Sequence, residues 1–254
     1  MSVTPAAPRN AATLILLRDG VRGLETMMIE RHAGLSFAPG ALVFPGGCLS
    51  SDDHTGGDGD LPLRMAAIRE CFEECGILLA RSRTGSAMID TDHAAWLLKR
   101  YRRRMLEGEL TFSAMLTSEG LVVAYDLLVP FGHWVTPEIR PKRFDTLFFL
   151  APAPPDQFTE PDGSEVVRCL WDYPRDILRA ADDGRARLIF ATRMNLARLS
   201  RYASVTEALA DASGQPVIRI IPQYVETDSG AELRIPQGTG YGPYVVPASM
   251  TDLA

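Results

Sequence analysis

Short apolar runs separated by polar, glycine-rich breaks recur along the chain, a pattern typical of a domain that combines strands with helices. Residues 13–17 form a continuous apolar run that ends at an Arg-Asp-Gly turn, and residues 25–31 alternate loosely after it. Runs of this length, bounded by turn residues, predict two paired strands. A third short strand is predicted at 41–44, closed by the Pro-Gly-Gly turn at 45–47.

The second half of the chain predicts a less regular mixture of elements. A helix at 90–106, with one apolar and one basic side, and one or two short helices within 107–128 predict a helical insertion over 85–130. Residues 133–143 are predicted to form a loop that leads into a strongly apolar strand. The later elements are predicted as strands at 144–150 and 165–171, helices at 173–181, 192–200 and 204–212, and a hairpin of 217–225 with 232–235. Because strands and helices do not alternate strictly, a mixed sheet covered by helices is favoured.

Three glutamates fall on one face of a further predicted helix, because Glu70, Glu73 and Glu74 are spaced i, i+3, i+4. Most charge runs are solvated surface, and like charges on one stripe repel. Here the apolar residues of the same helix indicate that it packs on a core, and Gly76 ends it directly after the carboxylates. A held cluster of carboxylates is what a hard divalent cation such as Mg²⁺ requires. We therefore predict that Glu70, Glu73 and Glu74 are metal ligands.

The run from Arg69 to Ile77 resembles the second half of the Nudix box, G-x5-E-x7-R-E-U-x-E-E-x-G-U, in which U is a bulky aliphatic residue. It matches every fixed position except the aliphatic one, which is Cys71, a small hydrophobe. Residues 44–47, Phe-Pro-Gly-Gly, resemble the opening segment of the box. The resemblance implies the α/β Nudix fold, an α/β/α sandwich around a mixed β-sheet, as a single domain over residues 10–245.

The first half of the box departs from the family pattern. The spacing from Gly47 to Arg69 exceeds the pattern by eight residues. Asp53 occupies the counted acidic position but is one carbon shorter than glutamate, and its role, in the site or only in the loop, is left open. The excess is predicted to form a flexible, polar loop insertion at 51–62.

The resemblance implies a metal-dependent hydrolase in which Glu70, Glu73 and Arg69 are the catalytic residues and Mg²⁺ or Mn²⁺ is the cofactor. The metal would neutralise phosphate oxygens and activate water. Arg69 would orient one glutamate through a charge-assisted hydrogen bond. Members of the family differ in their general base, so Glu73, Glu165 and Asp145 are all candidates for it.

Substrate binding is expected from Gly46 and Gly47, whose backbone can approach a phosphate closely, and from Arg31, Arg143 and Phe144. Arg143 would contact a phosphate, and Phe144 would lie against a base. Each arginine alone is more often a surface residue than a ligand.

The identity of the substrate depends on a finer resemblance. The blocks at 134–137 and 143–146, the interrupted box and the helical insertion together resemble a long-insert Nudix subgroup, found in peroxisomes and bacteria, that acts on coenzyme A (CoA) and acyl-CoA. A diphosphatase of CoA or acyl-CoA is therefore expected, with Arg140 and Lys142 as further candidates for binding the 3′-phosphate. An ADP-ribose or NADH diphosphatase and a non-catalytic nucleotide sensor stay open as alternatives, because one scaffold hosts many substrates.

Charge and composition narrow the class of partner. The net charge of −6 and the sequence pI near 5.3 argue against nucleic-acid binding. The apolar run at 11–17 is too short to span a membrane, so a cytoplasmic protein without a membrane partner is expected. The four cysteines are expected to be packing residues in a reducing compartment. A small-molecule nucleoside diphosphate derivative is the expected partner, and a homodimer stays open.

Overall fold

A mixed sheet with helices on both faces is formed by residues 6–242 and 244–247, the part of the chain that the computed structural model describes. The strands are β1 (Arg9–Gly20), β2 (Gly23–Arg31), β3 (Leu42–Val43), β4 (Gly46–Cys48), β5 (Ala80–Ser82), β6 (Leu121–Val123), β7 (Val129–Val135), β8 (Phe144–Pro152), β9 (Val166–Asp172), β10 (Arg219–Ile220), β11 (Gln223–Thr227), β12 (Gly230–Arg234) and β13 (Val245–Pro247). The helices are α1 (Leu61–Cys75), α2 (Thr91–Leu106), α3 (Phe112–Ser118), α4 (Pro174–Asp182), α5 (Phe190–Leu199) and α6 (Val205–Gly214), with 3₁₀ helices at Ser51–Gly56 and Tyr125–Leu127.

The central strand of the sheet is β1, which explains its long apolar run. The strand order is β10-β7-β8-β1-β2-β3, with β4 also paired to β1 and β9 to β2. Ala12, Leu14 and Leu16 point to the face covered by α1, α2 and α3, whereas Ile15 and Leu17 point to the face covered by α4, α5 and α6. A strand buried on both faces reads as a continuous apolar run. The predicted α/β/α sandwich around a mixed sheet is confirmed.

Several predicted elements take a different form in the structure. Residues 133–135 belong to β7 rather than to a loop, and the predicted turn at 45–47 continues into β4, which pairs with residues 11–13 of β1. The predicted 51–62 loop is instead a 3₁₀ helix at 51–56 followed by α1 from residue 61. Glycine-rich or short segments have weak strand propensity, so β4 and β7 form strands because of the strands that pair with them, β1 and β8.

The helical insertion enters and leaves through one small sheet. β5 pairs antiparallel with β6, so the two ends of the segment that contains α2 and α3 lie side by side. β6 occupies part of the segment that was predicted to be helical. The C-terminal hairpin is formed by β11 and β12, while β10 joins the main sheet beside β7.

All four cysteines are free. Cys71 and Cys75 lie on the buried face of α1, as expected for packing residues. Within the described residues, no helix combines the length and the apolar character needed to cross a membrane.

Candidate active site

Helix α1 places its three glutamates at its last turn. Its buried residues, among them Ile68 and Phe72, pack in the core against β1, which fixes the orientation of the helix. Gly76 follows with a left-handed φ of 80°, and its N–H donates to the carbonyl of Phe72. This ending suits glycine, because a side chain at positive φ is strained. The packed face of α1 and its fixed end at Gly76 therefore hold the backbone that carries the three carboxylates in place.

Arg69 is the hub of the site and is almost completely buried. Its Nη1 donates to Glu70 Oε1 at 2.8 Å and to Glu73 Oε2 at 3.0 Å, and its Nη2 donates to the carbonyl of Cys48 at 3.1 Å. Nε and Nη2 both donate to the Asp53 carboxylate at 2.9 Å. Burial alone would lower the pKa of Arg69, but its bonds to Asp53 and the nearby glutamate charges raise it. The arginine stays charged and donates to two glutamates, whereas the sequence led us to expect one.

Asp53 supports Arg69 from beneath. Its side chain is fully buried. The carboxylate accepts hydrogen bonds from the backbone N–H and the hydroxyl of Ser50, in addition to the two from Arg69. The 3₁₀ helix at 51–56 brings it there in spite of the lengthened spacing. Both carboxylate oxygens face the guanidinium, which places Asp53 against Arg69 rather than only in the loop.

Glu74 links α1 to the glycine strand. Its Oε2 accepts a hydrogen bond from the N–H of Gly46 at 2.9 Å, and its Oε1 lies 3.8 Å from Nη1 of Arg31. The Nη2 of Arg31 in turn lies 3.7 Å from Oε2 of Glu165, and its Nε donates to the carbonyl of Phe37. Arg31 therefore bridges a box glutamate and one of the candidate bases from outside the box.

The box glycines are required by close contact. A Cβ on Gly47 would lie 2.4 Å from the carboxylate of Glu70, and a Cβ on Gly46 would lie 2.4 Å from the carbonyl oxygen of Ala12. Both distances are far below van der Waals contact. Positions 46 and 47 of β4 must therefore lack side chains for the backbone to lie against β1 and the glutamates.

The three glutamates carry more negative charge than their protein partners offset. Burial raises the pKa of Glu73 to about 7, despite the opposing charge of Arg69. Burial also raises the pKa of Glu70. Burial and the charge of Glu70 raise the pKa of Glu74 well above its ordinary value. Excess negative charge of this kind is relieved either by protons or by a cation.

A cavity of about 360 Å³ opens beside these groups. Glu70, Glu74, Glu165 and Arg31 lie at its polar end. The rest of its wall is mostly apolar and comes from β1, β7, β8 and the start of α5. Glu73 is absent from the described residues that line it. A mostly apolar cleft with a few convergent charged groups is the usual form of a small-molecule site.

The predicted substrate residues divide into two groups. Gly46, Gly47, Arg31 and Phe144 all line the cavity. Arg143 is absent from the described wall: its buried guanidinium donates to the carbonyls of Thr136 and Ala6 and ties the start of β8 to its neighbours.

Two residues that line the cavity, Arg9 and Phe37, are marked by no motif in the sequence. Lys142, a predicted candidate for binding the 3′-phosphate, lines the cavity beside Phe144. The rings of Phe37 and Phe144 pack edge to face with centroids 4.9 Å apart, so the loop after β2 meets the start of β8 across the cavity. Arg140 is absent from the described residues that form the cavity wall.

The two outside candidates for the general base are also separated by the structure. Glu165 lines the cavity, and its side chain is 60% exposed, so it is accessible to water. Asp145 is held by His133 and by Arg219, and it does not reach the described wall of the cavity.

Comparison with known proteins gives a consistent set of similarities. Residues 55–199 match the family model described as the NUDT19 Nudix domain. The chain is 27% identical to putative nudix hydrolase 7 of Caenorhabditis elegans, with 86% of this chain and 69% of that protein covered. It is 26% identical to the human protein named acyl-coenzyme A diphosphatase NUDT19, with 73% and 63% covered. The chain thus spans about two thirds of the length of these relatives.

Among solved structures, a NUDIX hydrolase from Alicyclobacillus acidocaldarius superposes on this chain with a TM-score of 0.68 at 29% sequence identity. The match covers 83% of this chain and 99% of the other, so the similarity extends well beyond the box.

Proposed function

The chain belongs to the Nudix hydrolase family, and from that premise we propose that it hydrolyses the diphosphate linkage of CoA or acyl-CoA with the help of a divalent metal ion. The single observation that carries the proposal is the meeting of Glu70, Glu74 and the Gly46-Gly47 backbone at one end of a mostly apolar cavity. That end suits a diphosphate, and the apolar remainder suits a long organic substituent. The name of the human relative supports the same substrate class.

The donor set fits Mg²⁺ or Mn²⁺. Glu70, Glu73 and Glu74 supply carboxylate oxygens with uncompensated charge, and the backbone of Gly47 lies against the Glu70 carboxylate. As the described side chains stand, no three acidic, histidine or cysteine groups form a set that could hold a metal. Arg69 occupies one oxygen each of Glu70 and Glu73, so the second oxygen of each carboxylate would serve as the metal ligand once the side chains converge. Once bound, a metal would neutralise phosphate oxygens and lower the pKa of a water molecule.

The protein's own residues divide the remaining tasks. Arg69 orients Glu70, and the Gly46 N–H orients Glu74, so both carboxylates face the cavity. We assign the general base to Glu165, whose carboxylate would accept the proton of the attacking water while Arg31 holds it in place. Glu73 is turned towards Arg69 and is absent from the described cavity wall, which argues against it as the base.

Replacing Glu165 by glutamine tests that assignment. Loss of a general base lowers turnover by about 10²-fold or more, and glutamine keeps the shape and the contact with Arg31. We expect kcat to fall by about 10²-fold and the acidic limb of the pH–rate profile to change, measured by steady-state hydrolysis of CoA. Asp145→Asn serves as the matched control, since Asp145 is held by Arg219 away from the cavity. An equal loss in both variants would contradict the assignment.

Stability in the absence of metal should depend on pH. Glu73 has a pKa of about 7 in the folded protein against an ordinary 4.5, so between these values the folded state holds more protons than the unfolded chain. Stability therefore falls as pH rises through this window. We expect the Tm in EDTA to fall by several degrees between pH 5 and pH 8, and added Mn²⁺ to raise it most at pH 8. Glu73→Gln should flatten the slope; a wild-type Tm independent of pH would contradict this account.

The substrate is tested by a panel of CoA, acyl-CoA, ADP-ribose, NADH and dinucleoside polyphosphates with Mg²⁺ or Mn²⁺, analysed by mass spectrometry. Attack of water on the diphosphate of CoA breaks one P–O bond and gives adenosine 3′,5′-bisphosphate and 4′-phosphopantetheine. Formation of this pair at the highest kcat/KM supports the proposal. Preferential release of AMP from ADP-ribose or NADH would reassign the substrate, and no turnover of any compound would favour a nucleotide sensor.

A further inference from the structure

We propose that Arg9 and Lys142 form a subsite for a phosphate monoester of the substrate, distinct from the diphosphate that is cleaved. The inference rests on the proposed function and deepens it. In CoA the corresponding group is the 3′-phosphate of the ribose, which dephospho-CoA, ADP-ribose and NADH lack. The subsite would therefore set the preference for CoA within the class of nucleoside diphosphate derivatives.

The two cations are available to an incoming anion. Both are exposed side chains that line the cavity. Lys142 contacts the hydroxyl of Ser36 at 3.5 Å and lies over the ring of Phe144, and within the described residues neither Lys142 nor Arg9 forms an ion pair with a carboxylate. Arg31, by contrast, already lies between two glutamates. Among the described residues that line the cavity, Arg9 and Lys142 are thus the cations with capacity for a further anion.

The register of the sheet brings the two cations to one end of the cavity. Arg9 of β1 pairs in parallel with Phe144 of β8, two residues beyond Lys142. The Nζ of Lys142 lies 5.8 Å from the centroid of the Phe144 ring, and Phe144 is the residue that pairs with Arg9. A guanidinium and an ammonium at the same end of a cavity form a good site for a dianionic phosphate, since each donates charge-assisted hydrogen bonds.

The cation pair lies away from the catalytic glutamates. Gly47, which touches Glu70, pairs with Ala12 of β1, and Arg9 is three residues earlier on the same strand. At about 3.3 Å per residue the two levels are about 10 Å apart along the strand. A ribose that carries a diphosphate on C5′ and a monophosphate on C3′ presents two separated anionic groups. Phe37 and Phe144, beside the cation pair, provide ring surfaces for the attached base.

The test compares CoA with dephospho-CoA, which differ only in the 3′-phosphate. For the wild-type protein and the variants Arg9→Gln, Lys142→Gln and the double variant, kcat/KM is measured for both substrates. We expect the ratio of CoA to dephospho-CoA to fall by about tenfold in each single variant and further in the double variant, through a higher KM for CoA. Arg140→Gln, the same change of charge in the loop before β8, should keep the wild-type ratio. If the double variant kept the wild-type ratio of kcat/KM for CoA to that for dephospho-CoA, the proposed subsite would be wrong.

Failure of the subsite can be told apart from failure of the proposed function. If the wild-type protein hydrolyses neither substrate, the proposed function is wrong, and calorimetry decides the subsite independently. Adenosine 3′,5′-bisphosphate should then bind about tenfold tighter than 5′-AMP to the wild-type protein, with that difference lost in the double variant. Equal affinity of the wild-type protein for both nucleotides would overturn the subsite.

Discussion

Replacing Glu74 by glutamine should lower kcat for CoA hydrolysis by at least about 10³-fold while the fold persists. Loss of a metal-ligand carboxylate removes several kcal/mol of transition-state stabilisation, and about 4 kcal/mol corresponds to 10³ in rate. Glutamine retains an oxygen that can accept from the Gly46 N–H. Because burial already disfavours the charge on Glu74, the neutral side chain should leave the Tm unchanged or raise it slightly.

The control for this variant is Glu30→Gln. Glu30 pairs with Arg168 on neighbouring strands, outside the described cavity wall, and its replacement should leave kcat within about twofold of wild type. Isothermal titration with Mn²⁺ gives a second measurement, in which Glu74→Gln should weaken binding by at least tenfold. Near-normal turnover of Glu74→Gln, with metal dependence retained, would remove Glu74 from the metal site and require another ligand set.

The parts of the molecule that the sequence predicts well are those specified by local patterns. The i, i+3, i+4 spacing of Glu70, Glu73 and Glu74, together with the stop at Gly76, depends only on helix geometry, and the structure has that helix end. The apolar stripe of α2 likewise predicts a helix whose bounds differ from the prediction by one residue at its start. Local spacing is sufficient where one element supplies all the groups.

The parts that were missed depend on partners that are distant in sequence. Arg9 reaches the cavity because β1 pairs with β8, more than a hundred residues later, and no local pattern marks that pairing. Arg143 is the opposite case. Its position before a strand suggested a residue of the site, but its guanidinium donates to the carbonyls of Thr136 and Ala6 within the fold. Asp53 shows a third case, in which a 3₁₀ helix absorbs the longer spacing and brings the carboxylate under Arg69.

Replacing Arg69 by methionine should be the most destabilising single change at the site. It leaves the Asp53 carboxylate fully buried without its cation, and removing one partner of a buried ion pair costs about 3–5 kcal/mol. For a chain of this size that corresponds to a fall in Tm of roughly 10 °C. Turnover should be lost as well, since Glu70 and Glu73 lose the donor that orients them. Thermal unfolding followed by circular dichroism, alongside CoA hydrolysis, measures both effects.

A double variant separates the structural from the catalytic role of Arg69. In Asp53→Leu/Arg69→Met the buried pair is replaced by apolar side chains, which is often neutral for stability, so most of the lost Tm should return. Activity should not return, because Glu70 and Glu73 still lack their common donor. The converse result, recovered turnover in the double variant, would show that the glutamates orient themselves and that Arg69 acts only through stability. Because Asp53 touches Arg69 but not the described cavity wall, stability and turnover should separate in this pair of variants.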